Sequence, residues 1–172
     1  KKDKILGVGI GMPGFVDVDK GINYSFLDYK GESIPDYIEK IIDLPVFIDN
    51  DSSIIALTEL KLGSALNTKN TMVINLCWGV GLGMIVNGKL FRGNNGCAGE
   101  FSHIPLFENN KLCGCGKSGC LETETSLLVV IKKAKEALSK GRVSSIKEIP
   151  ADFEEASNTI INAAIAGDQM SV

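Results

Sequence analysis

Three of the five cysteines in this 172-residue chain, Cys113, Cys115 and Cys120, lie within eight residues of one another. They come at the end of a loop-like stretch, residues 93–119, that is rich in Gly and Asn. A segment of this composition needs a crosslink to become ordered. In a chain without a secretion signal, such crowding favours a bound metal over a disulfide framework.

The single histidine, His103, precedes the first of these cysteines by ten residues. One imidazole and three thiols form a common tetrahedral zinc set, and four protein ligands leave no open position for catalysis. Asn109 and Asn110 favour a turn that returns the histidine to the metal. We therefore predict a structural zinc at His103, Cys113, Cys115 and Cys120. The alternative is a set of free thiols with an unrelated histidine.

Composition limits the other partners of the chain. A formal net charge of −3 and the lack of a Lys/Arg cluster argue against nucleic-acid binding by this segment. Lys132, Lys133 and Lys135 are interpreted as a solvated helix face. No signal peptide or membrane-spanning run is evident, so we expect a cytoplasmic protein without a membrane partner. Because the chain begins at Lys1 without Met, we interpret it as a partial or processed form.

Apolar patterning predicts an α/β chain in which strands alternate with helices. The predicted strands cover residues 5–12, 15–18, 46–48, 71–76, 84–86 and 89–92. The predicted helices cover residues 33–42, 52–62, 121–138 and 152–166. Ligands of such folds bind beyond the carboxyl ends of the strands, and Asn50 and Asp51 follow such an end. The two remaining cysteines, Cys77 and Cys97, are predicted to be small buried residues.

Several motifs resemble one known family. The run GEFSH at 99–103, followed by CGCGKSGCLE at 113–122, resembles the signature of the ROK family of sugar kinases and sugar-responsive repressors. The runs GIGMPG at 9–14 and GVGLG at 79–83 resemble its Gly-x-Pro-Gly turn and its second phosphate loop. The pair Asn50–Asp51 resembles part of its Glu-Asn-Asp-Ala-Asn segment. The resemblance extends over residues 5–130.

The resemblance implies an actin-like, hexokinase-like (ribonuclease H-like) ATPase fold with two lobes and a zinc-binding loop. Against that pattern, residues 1–172 form a partial ROK domain, the central sugar- and zinc-binding part. The family's N-terminal Asp-x-Gly-Gly-Thr phosphate loop and the C-terminal part of its adenine site are absent from the chain. We therefore expect this chain alone to be inactive as a kinase. The resemblance also implies a homo-oligomer.

The resemblance further assigns the sugar site. Asp51 matches the catalytic base, which would accept a proton from a sugar hydroxyl as it attacks the γ-phosphate. The other implied sugar contacts are Asn50, Glu100, His103 and Glu122, with Asn23 as a weaker candidate. His103 would bind zinc through one ring nitrogen and the sugar through the other. The alternatives are that Asp51 caps a helix beginning at Ser52 and that each Glu is a solvated surface carboxylate.

The Gly-rich run suggests that backbone at Gly79 and Gly81 approaches a phosphate, although tight strand packing explains these glycines equally well. Two positions depart from the family pattern. Family kinases usually have Gly-Thr-Gly where this chain has Cys77-Trp78-Gly79, and the bulky Trp would either obstruct nucleotide phosphates or stack elsewhere. Ser102 stands where Gly is usual.

These features leave three hypotheses open. The favoured one is the sugar-binding effector domain of a ROK transcriptional regulator, which would contact DNA only through an N-terminal helix-turn-helix domain outside this chain. The second is an ATP-dependent hexose or N-acylhexosamine kinase, which would need ATP and magnesium as well as zinc. The third is a zinc-stabilised α/β module without a sugar function.

Overall fold

The computed structural model of the protein describes residues 4–25 and 31–172. The chain divides into two compact units. The first unit comprises residues up to Asn75 together with Gly81–Phe101, and the second comprises Leu76–Val80 and Ser102–Val172. The helices and strands are β1 (Val8–Met12), β2 (Val16–Asp17), β3 (Ile22–Asn23), α1 (Ile34–Ile42), β4 (Val46–Asn50), α2 (Asp51–Leu62), β5 (Thr71–Leu76), β6 (Val80–Val86), β7 (Lys89–Leu90), a 3-10 turn (Phe101–His103), α3 (Glu122–Thr125), α4 (Leu127–Ser139) and α5 (Phe153–Ile165).

In the first unit, β1 and β4 pair in parallel with helix α1 between them in sequence. The register runs from Val8 opposite Val46 to Met12 opposite Asn50, so the carboxyl ends of both strands meet. Ser33 caps α1 by accepting a hydrogen bond from the backbone N–H of Asp36 at 3.2 Å. The core beneath this pair is made of Met12, Val16, Ile34 and Ile48. The predicted helix at 33–42 and the predicted strand at 46–48 are therefore confirmed.

A second sheet, with strand order β5-β6-β7, packs on helix α2 in the same unit. Asn87 and Gly88 form the β6–β7 hairpin with φ values of 53° and 74°, as the Asn-Gly signal predicts. A Cβ added at Gly81 would collide with Ser52, and one added at Gly83 would collide with Ala56. The close approach of β6 to α2 thus accounts for the glycines at both positions.

The second unit contains the helices α3, α4 and α5 around a core of Ile131, Ala134, Ile146, Ile149, Ala156 and Ile160. The predicted helical stretch 121–138 is helical but divided into α3 and α4, because the chain breaks at Ser126. Ser126 adopts an extended conformation with ψ of 150°, and its hydroxyl accepts the N–H of Val129 at 3.4 Å to cap α4. Because the serine hydroxyl bonds to a backbone N–H, it favours a new helix start over the continuous helix that the apolar periodicity indicates.

The prediction that Cys77 and Cys97 are buried is also wrong, since both side chains are exposed. Cys77 lies in the turn after β5, and Cys97 lies in the irregular segment between β7 and the 3-10 turn. Neither segment has the periodic apolar face that draws a small side chain into a core. Among residues 4–25 and 31–172, no helix combines the length and apolar character that crossing a bilayer requires.

Candidate functional site

The four residues predicted to bind metal come together in the second unit. The ligand atoms of His103, Cys113, Cys115 and Cys120 all lie within 4.8 Å of one another. The Sγ atoms of Cys115 and Cys120 are 3.7 Å apart, and Cys113 Sγ is 3.4 Å from His103 Nδ1. Zinc–sulfur bonds of about 2.3 Å in a tetrahedron place two sulfurs about 3.8 Å apart. The cluster therefore has the donor types and spacing to hold a metal ion, with Nδ1 as the nitrogen that faces the thiols.

The backbone of this segment folds around the cluster. Gly119, at φ of 73°, donates its N–H to the carbonyl of Lys111 at 2.9 Å, while its own carbonyl accepts the N–H of Leu106 at 2.9 Å. A Cβ at Gly119 would collide with the carbonyl of Phe107, so only glycine fits here. The N–H of Cys113 donates to the carbonyl of Lys117 at 2.8 Å. These backbone bonds hold residues 111–119 in a tight loop next to the cluster.

The thiols influence each other's ionisation. Burial and the adjacent thiols of Cys115 and Cys113 raise the pKa of the Cys120 thiol to about 11. Burial also raises the pKa of Cys115, but hydrogen bonds from the Lys117 backbone and the neighbouring thiols outweigh it, and the net direction is down. Several thiolates this close repel one another, and a bound divalent cation removes that repulsion.

Glu124, in helix α3, links the segment that carries the metal ligands to helix α4 through hydrogen bonds and ion pairs. Its carboxylate accepts a hydrogen bond from Asn109 Nδ2 at 2.5 Å and forms ion pairs with Lys111 and with Lys133, the latter at 2.5 Å. The lysines lower the pKa of the Glu124 carboxyl. No local sequence signal marks Glu124 as a site residue, although it lies only two residues beyond the motif.

In the first unit, the structure shows which residue at the end of β4 caps helix α2. The N-cap of α2 is Asn50, whose Oδ1 accepts the N–H of Ser53 at 3.0 Å, and the helix begins at Asp51. The alternative that Asp51 caps the helix is therefore wrong. The Asp51 carboxylate accepts from the N–H and the hydroxyl of Ser52 at 2.6 and 3.1 Å. It is half-buried at the carboxyl end of a strand, as a ligand-binding carboxylate would be.

Asn23 and Asn50 share one structural task. Asn50 Nδ2 donates to the carbonyl of Gly14 at 3.0 Å, and Asn23 Nδ2 donates to the carbonyl of Pro13 at 2.9 Å. The two amides thus hold the Pro13–Gly14 turn that follows β1. Asn23 is fully buried, and a direct sugar contact by this residue stays a prediction.

An ion pair that no sequence pattern predicts lies beside Asn50. Arg92, just after β7, donates two hydrogen bonds to the Asp49 carboxylate, at 2.7 and 2.6 Å. This bidentate geometry raises the pKa of Arg92 and fixes the residue that precedes Asn50. Only the position of Asp49 at the end of a strand could have signalled its importance, because Arg92 lies 43 residues away.

The predicted phosphate loop, residues 79–83, begins at the end of the turn that joins β5 to β6. Glu122 Oε2 accepts the N–H of Val80 at 3.2 Å, so Glu122 is not simply a solvated surface carboxylate. The Trp78 ring meets the ring of Phe153 edge-on, with centroids 5.8 Å apart. The phosphate role of Gly79 and Gly81 stays a prediction, because contacts within the chain also explain both glycines.

The remaining predicted residue, Glu100, is half-buried and directly precedes the 3-10 turn that carries His103. Ser102 within that turn is 2% exposed, so its side chain fits where the family pattern has Gly. The structure thus brings together the metal ligands within the second unit and Asn23 and Asn50 within the first.

Comparison with known proteins agrees with these features. The profile of the ROK family matches residues 1–169. A glucokinase of Halalkalibacterium halodurans is 34% identical over 99% of this chain and 53% of that protein. A xylose repressor of Caldicellulosiruptor bescii is 33% identical over 96% of this chain and 42% of that protein. The crystal structure of a ROK family glucokinase from Streptomyces griseus, in complex with glucose and AMPPNP, superposes with a TM-score of 0.78, at 31% identity over 98% of this chain and 56% of that one.

The chain therefore belongs to the ROK family, as its motifs predict, and spans about half the length of the curated relatives it matches. The predicted α/β fold of the actin-like, hexokinase-like type is confirmed. The relatives include both kinases and repressors at nearly equal identity, so similarity alone does not separate the two functions.

Proposed function

We propose that this chain is the sugar-binding part of a ROK transcriptional regulator and that it carries a structural zinc. The observation that carries this choice is Trp78. This residue stands in the turn where the kinases of the family usually have Thr, and its ring packs against Phe153 in the second unit. A phosphate loop needs small side chains that let phosphate oxygens reach backbone amides. A 66% exposed indole at this turn favours binding of a sugar without a nucleotide.

The proposed sugar contacts are Asn50, Asp51, Glu100, His103 and Glu122, with Asn23 in support. Carboxylates accept hydrogen bonds from sugar hydroxyls, and an amide can both donate and accept. Several bonds within the chain hold these groups before any ligand arrives. Both the nitrogen and the oxygen of the Asn50 amide form hydrogen bonds, and the neighbouring Asp49 carboxylate is bonded to Arg92. Such preorganisation lowers the entropy cost of binding a flexible polyol.

The zinc proposal rests on the fit of the cluster to tetrahedral coordination. When bound, zinc would supply charge neutralisation for the thiolates and a crosslink for the loop. His103 presents Nδ1 to the thiols, and we propose that the sugar is contacted through Nε2. Because the metal would fix the orientation of the His103 ring, it would also fix the direction from which the ring meets the sugar.

The second candidate function is an ATP-dependent hexose or N-acylhexosamine kinase. Asp51 favours it, because a half-buried carboxylate at the end of β4 suits a general base that accepts the proton of an attacking hydroxyl. ATP and magnesium would then be required. In this case Asp51→Asn would abolish phosphorylation and leave much of the sugar affinity in place.

The properties of the whole protein are part of the proposal. We propose that residues 1–172 are one part of a two-lobed ROK domain, that DNA contacts belong to a helix-turn-helix domain outside this chain, and that the protein is a cytoplasmic homo-oligomer. The chain alone is expected to show no kinase activity.

Isothermal titration of the full-length protein with a panel of hexoses and N-acetylhexosamines, with and without Mg²⁺ and AMPPNP, tests the choice of function. The regulator predicts that one sugar binds and that AMPPNP does not, whether the sugar is present or absent. Binding of both ligands, together with transfer of phosphate from ATP to the sugar, would establish the kinase instead. Asp51→Asn serves as the control, because under the kinase function it should abolish phosphate transfer while much of the sugar affinity remains.

A further inference from the structure

Arg92 connects two segments of the first unit that carry proposed sugar contacts. Asn50 ends strand β4 and Asp51 follows it, whereas Glu100 ends the irregular segment that begins after β7. Both segments belong to the first unit. The Arg92 guanidinium donates to both oxygens of the Asp49 carboxylate, at 2.7 and 2.6 Å, directly before Asn50. One side chain thus joins the segment that precedes Glu100 to the end of β4.

The Asp49 carboxylate also bonds to the backbone at the end of the strand. Its Oδ1 accepts the N–H of Asn50 at 2.8 Å as well as a guanidinium N–H of Arg92. The Asn50 amide in turn caps α2 through the Ser53 N–H and holds the Gly14 carbonyl. Without the guanidinium, the carboxylate would lose the two donors that fix its direction, and the Asn50 N–H would lose an oriented acceptor.

The backbone of Arg92 closes the segment that leads to Glu100. The Arg92 carbonyl accepts the N–H of Ala98 at 3.0 Å. Gly99, at φ of 96°, lies against β6, where an added Cβ would collide with the carbonyl oxygen of Leu82. The position of Glu100 therefore depends on Arg92 at one end of the segment and on β6 at the other.

The surroundings of the Arg92–Asp49 pair suit a positioning role better than a stabilising one. The two side chains are 37% and 16% exposed, so solvent screens their interaction only in part. Loss of hydration offsets much of the attraction in such a pair, and its net contribution to folding is small. Two parallel N–H···O bonds nevertheless fix the relative orientation of both groups, and only arginine has the planar fork that makes them.

We propose that Arg92 is a positioning residue that couples Glu100 to Asn50 and Asp51, so that sugar affinity depends on the Arg92–Asp49 pair although neither side chain contacts the sugar. This inference rests on the proposed function, which assigns the sugar contacts to those three residues. A sugar that uses hydroxyl groups to bond both segments at once is sensitive to their relative position. A ligand held by one segment alone would be insensitive to the pair.

Isothermal titration of the full-length protein with the panel of hexoses and N-acetylhexosamines measures the effect on affinity. Arg92→Gln removes the charge and the fork, whereas Arg92→Lys keeps the charge and loses the fork. Both variants should bind the sugar about tenfold more weakly than the wild type, the lower end of the usual effect of residues that orient ligand-binding groups. Arg142→Gln is the matched control at an exposed arginine of the second unit, and its affinity should equal that of the wild type.

A double variant distinguishes one coupled pair from two separate effects. If Arg92 and Asp49 act as a unit, Arg92→Gln combined with Asp49→Asn should bind the sugar no more weakly than the weaker-binding single variant. Affinities are compared well below the melting temperature of each variant, so that a loss of stability does not appear as a loss of affinity.

Hydrogen–deuterium exchange gives a second readout that needs no sugar. Asp49→Asn should speed exchange of the Ala98 amide, which bonds to the Arg92 carbonyl, although the substitution lies in the other segment. Unchanged exchange at Ala98 would overturn the inference. Wild-type affinity in Arg92→Lys would overturn it as well, because a charge alone would then suffice, and so would additive losses in the double variant. If the wild type binds no sugar of the panel, the proposed function fails, whereas faster exchange at Ala98 would still support the coupling of the two segments.

Discussion

The end of strand β4 and the loop from His103 to Cys120 both bring polar side chains together, yet these side chains are held in different ways. At the end of β4, each polar group bonds to the chain itself. Asn50 caps α2 with its oxygen and holds the Gly14 carbonyl with its nitrogen. In the loop, the side chains that converge are one imidazole and three thiols, which repel one another as they ionise.

The two regions are therefore ordered by different kinds of interaction. Hydrogen bonds and the Asp49–Arg92 ion pair make the β4 end independent of any added ion. The loop has a well-formed backbone, but its side chains converge on a point that a cation would occupy. Metal removal should therefore affect the loop of the second unit and leave the β4 end of the first unit largely unchanged.

The largest effect is expected from Cys115→Ser, because it removes one of four metal ligands in a half-buried position. Bound zinc, measured by elemental analysis, should fall from about one per chain to near zero, and the melting temperature should fall by about 10 °C or more. Cys97→Ser is the control, since Cys97 is an exposed thiol outside the cluster. Equal zinc content in the two variants would show that this cluster does not bind the metal.

The next effect concerns the first unit. Gly83→Ala should destabilise it by about 2–3 kcal/mol, because the new methyl group would collide with the Ala56 side chain and the Ser52 carbonyl. Gly9→Ala is the matched control in strand β1, where a Cβ meets nothing within 4 Å. Urea unfolding monitored by circular dichroism distinguishes the two. Equal midpoints would show that β6 and α2 do not approach closely in solution.

A smaller loss is expected when Asn50 is changed. Asn50→Ala removes both the α2 cap and the bond to Gly14, and should cost about 2 kcal/mol. Asn50→Asp keeps an oxygen for Ser53 but loses the donor to Gly14, and should cost about 1 kcal/mol. If the unfolding free energies of the two variants were identical, the amide would not hold the Pro13–Gly14 turn.

The smallest effect is a pH dependence in the second unit. Hydrogen bonds from the Ser145 backbone and the hydroxyl groups of Ser171 and Ser144 hold the pKa of Asp168 far below its usual range. Because the folded pKa is depressed, this carboxylate stabilises the fold above its unfolded pKa of about 3.9, and the contribution is lost as the pH falls below that value. Asp168→Asn should lose less stability than the wild type between pH 5 and pH 2.5 in urea unfolding. Glu148→Gln, at an exposed carboxylate of the same unit, should behave like the wild type.

The sequence predicted those structural features that depend on residues close to one another in the chain. The clustering of the cysteines, the Asn87–Gly88 hairpin and the Ser33 cap each depend on residues within a few positions of one another, so local sequence signals are enough to indicate them. The break at Ser126 was missed because apolar periodicity continues across it, and only the hydroxyl cap distinguishes two helices from one.

Contacts between distant positions could not be predicted. The Asp49–Arg92 pair joins residues 43 positions apart, and the Glu122–Val80 bond joins residues 42 positions apart. Nothing in the local pattern of either segment indicates its partner, since both depend on how strands and helices pack. The family motif identified Glu122 as a site residue, but only the structure reveals its bond to the turn that carries Trp78.

The most direct test of this account is hydrogen–deuterium exchange of the protein before and after zinc is removed with a chelator. We predict that amides of residues 103–120, including Cys113 and Gly119, lose protection, while those of residues 46–53 exchange as before. An unchanged loop, or an equal loss of protection in both regions, would contradict the claim that a metal orders the one and the chain's own hydrogen bonds order the other.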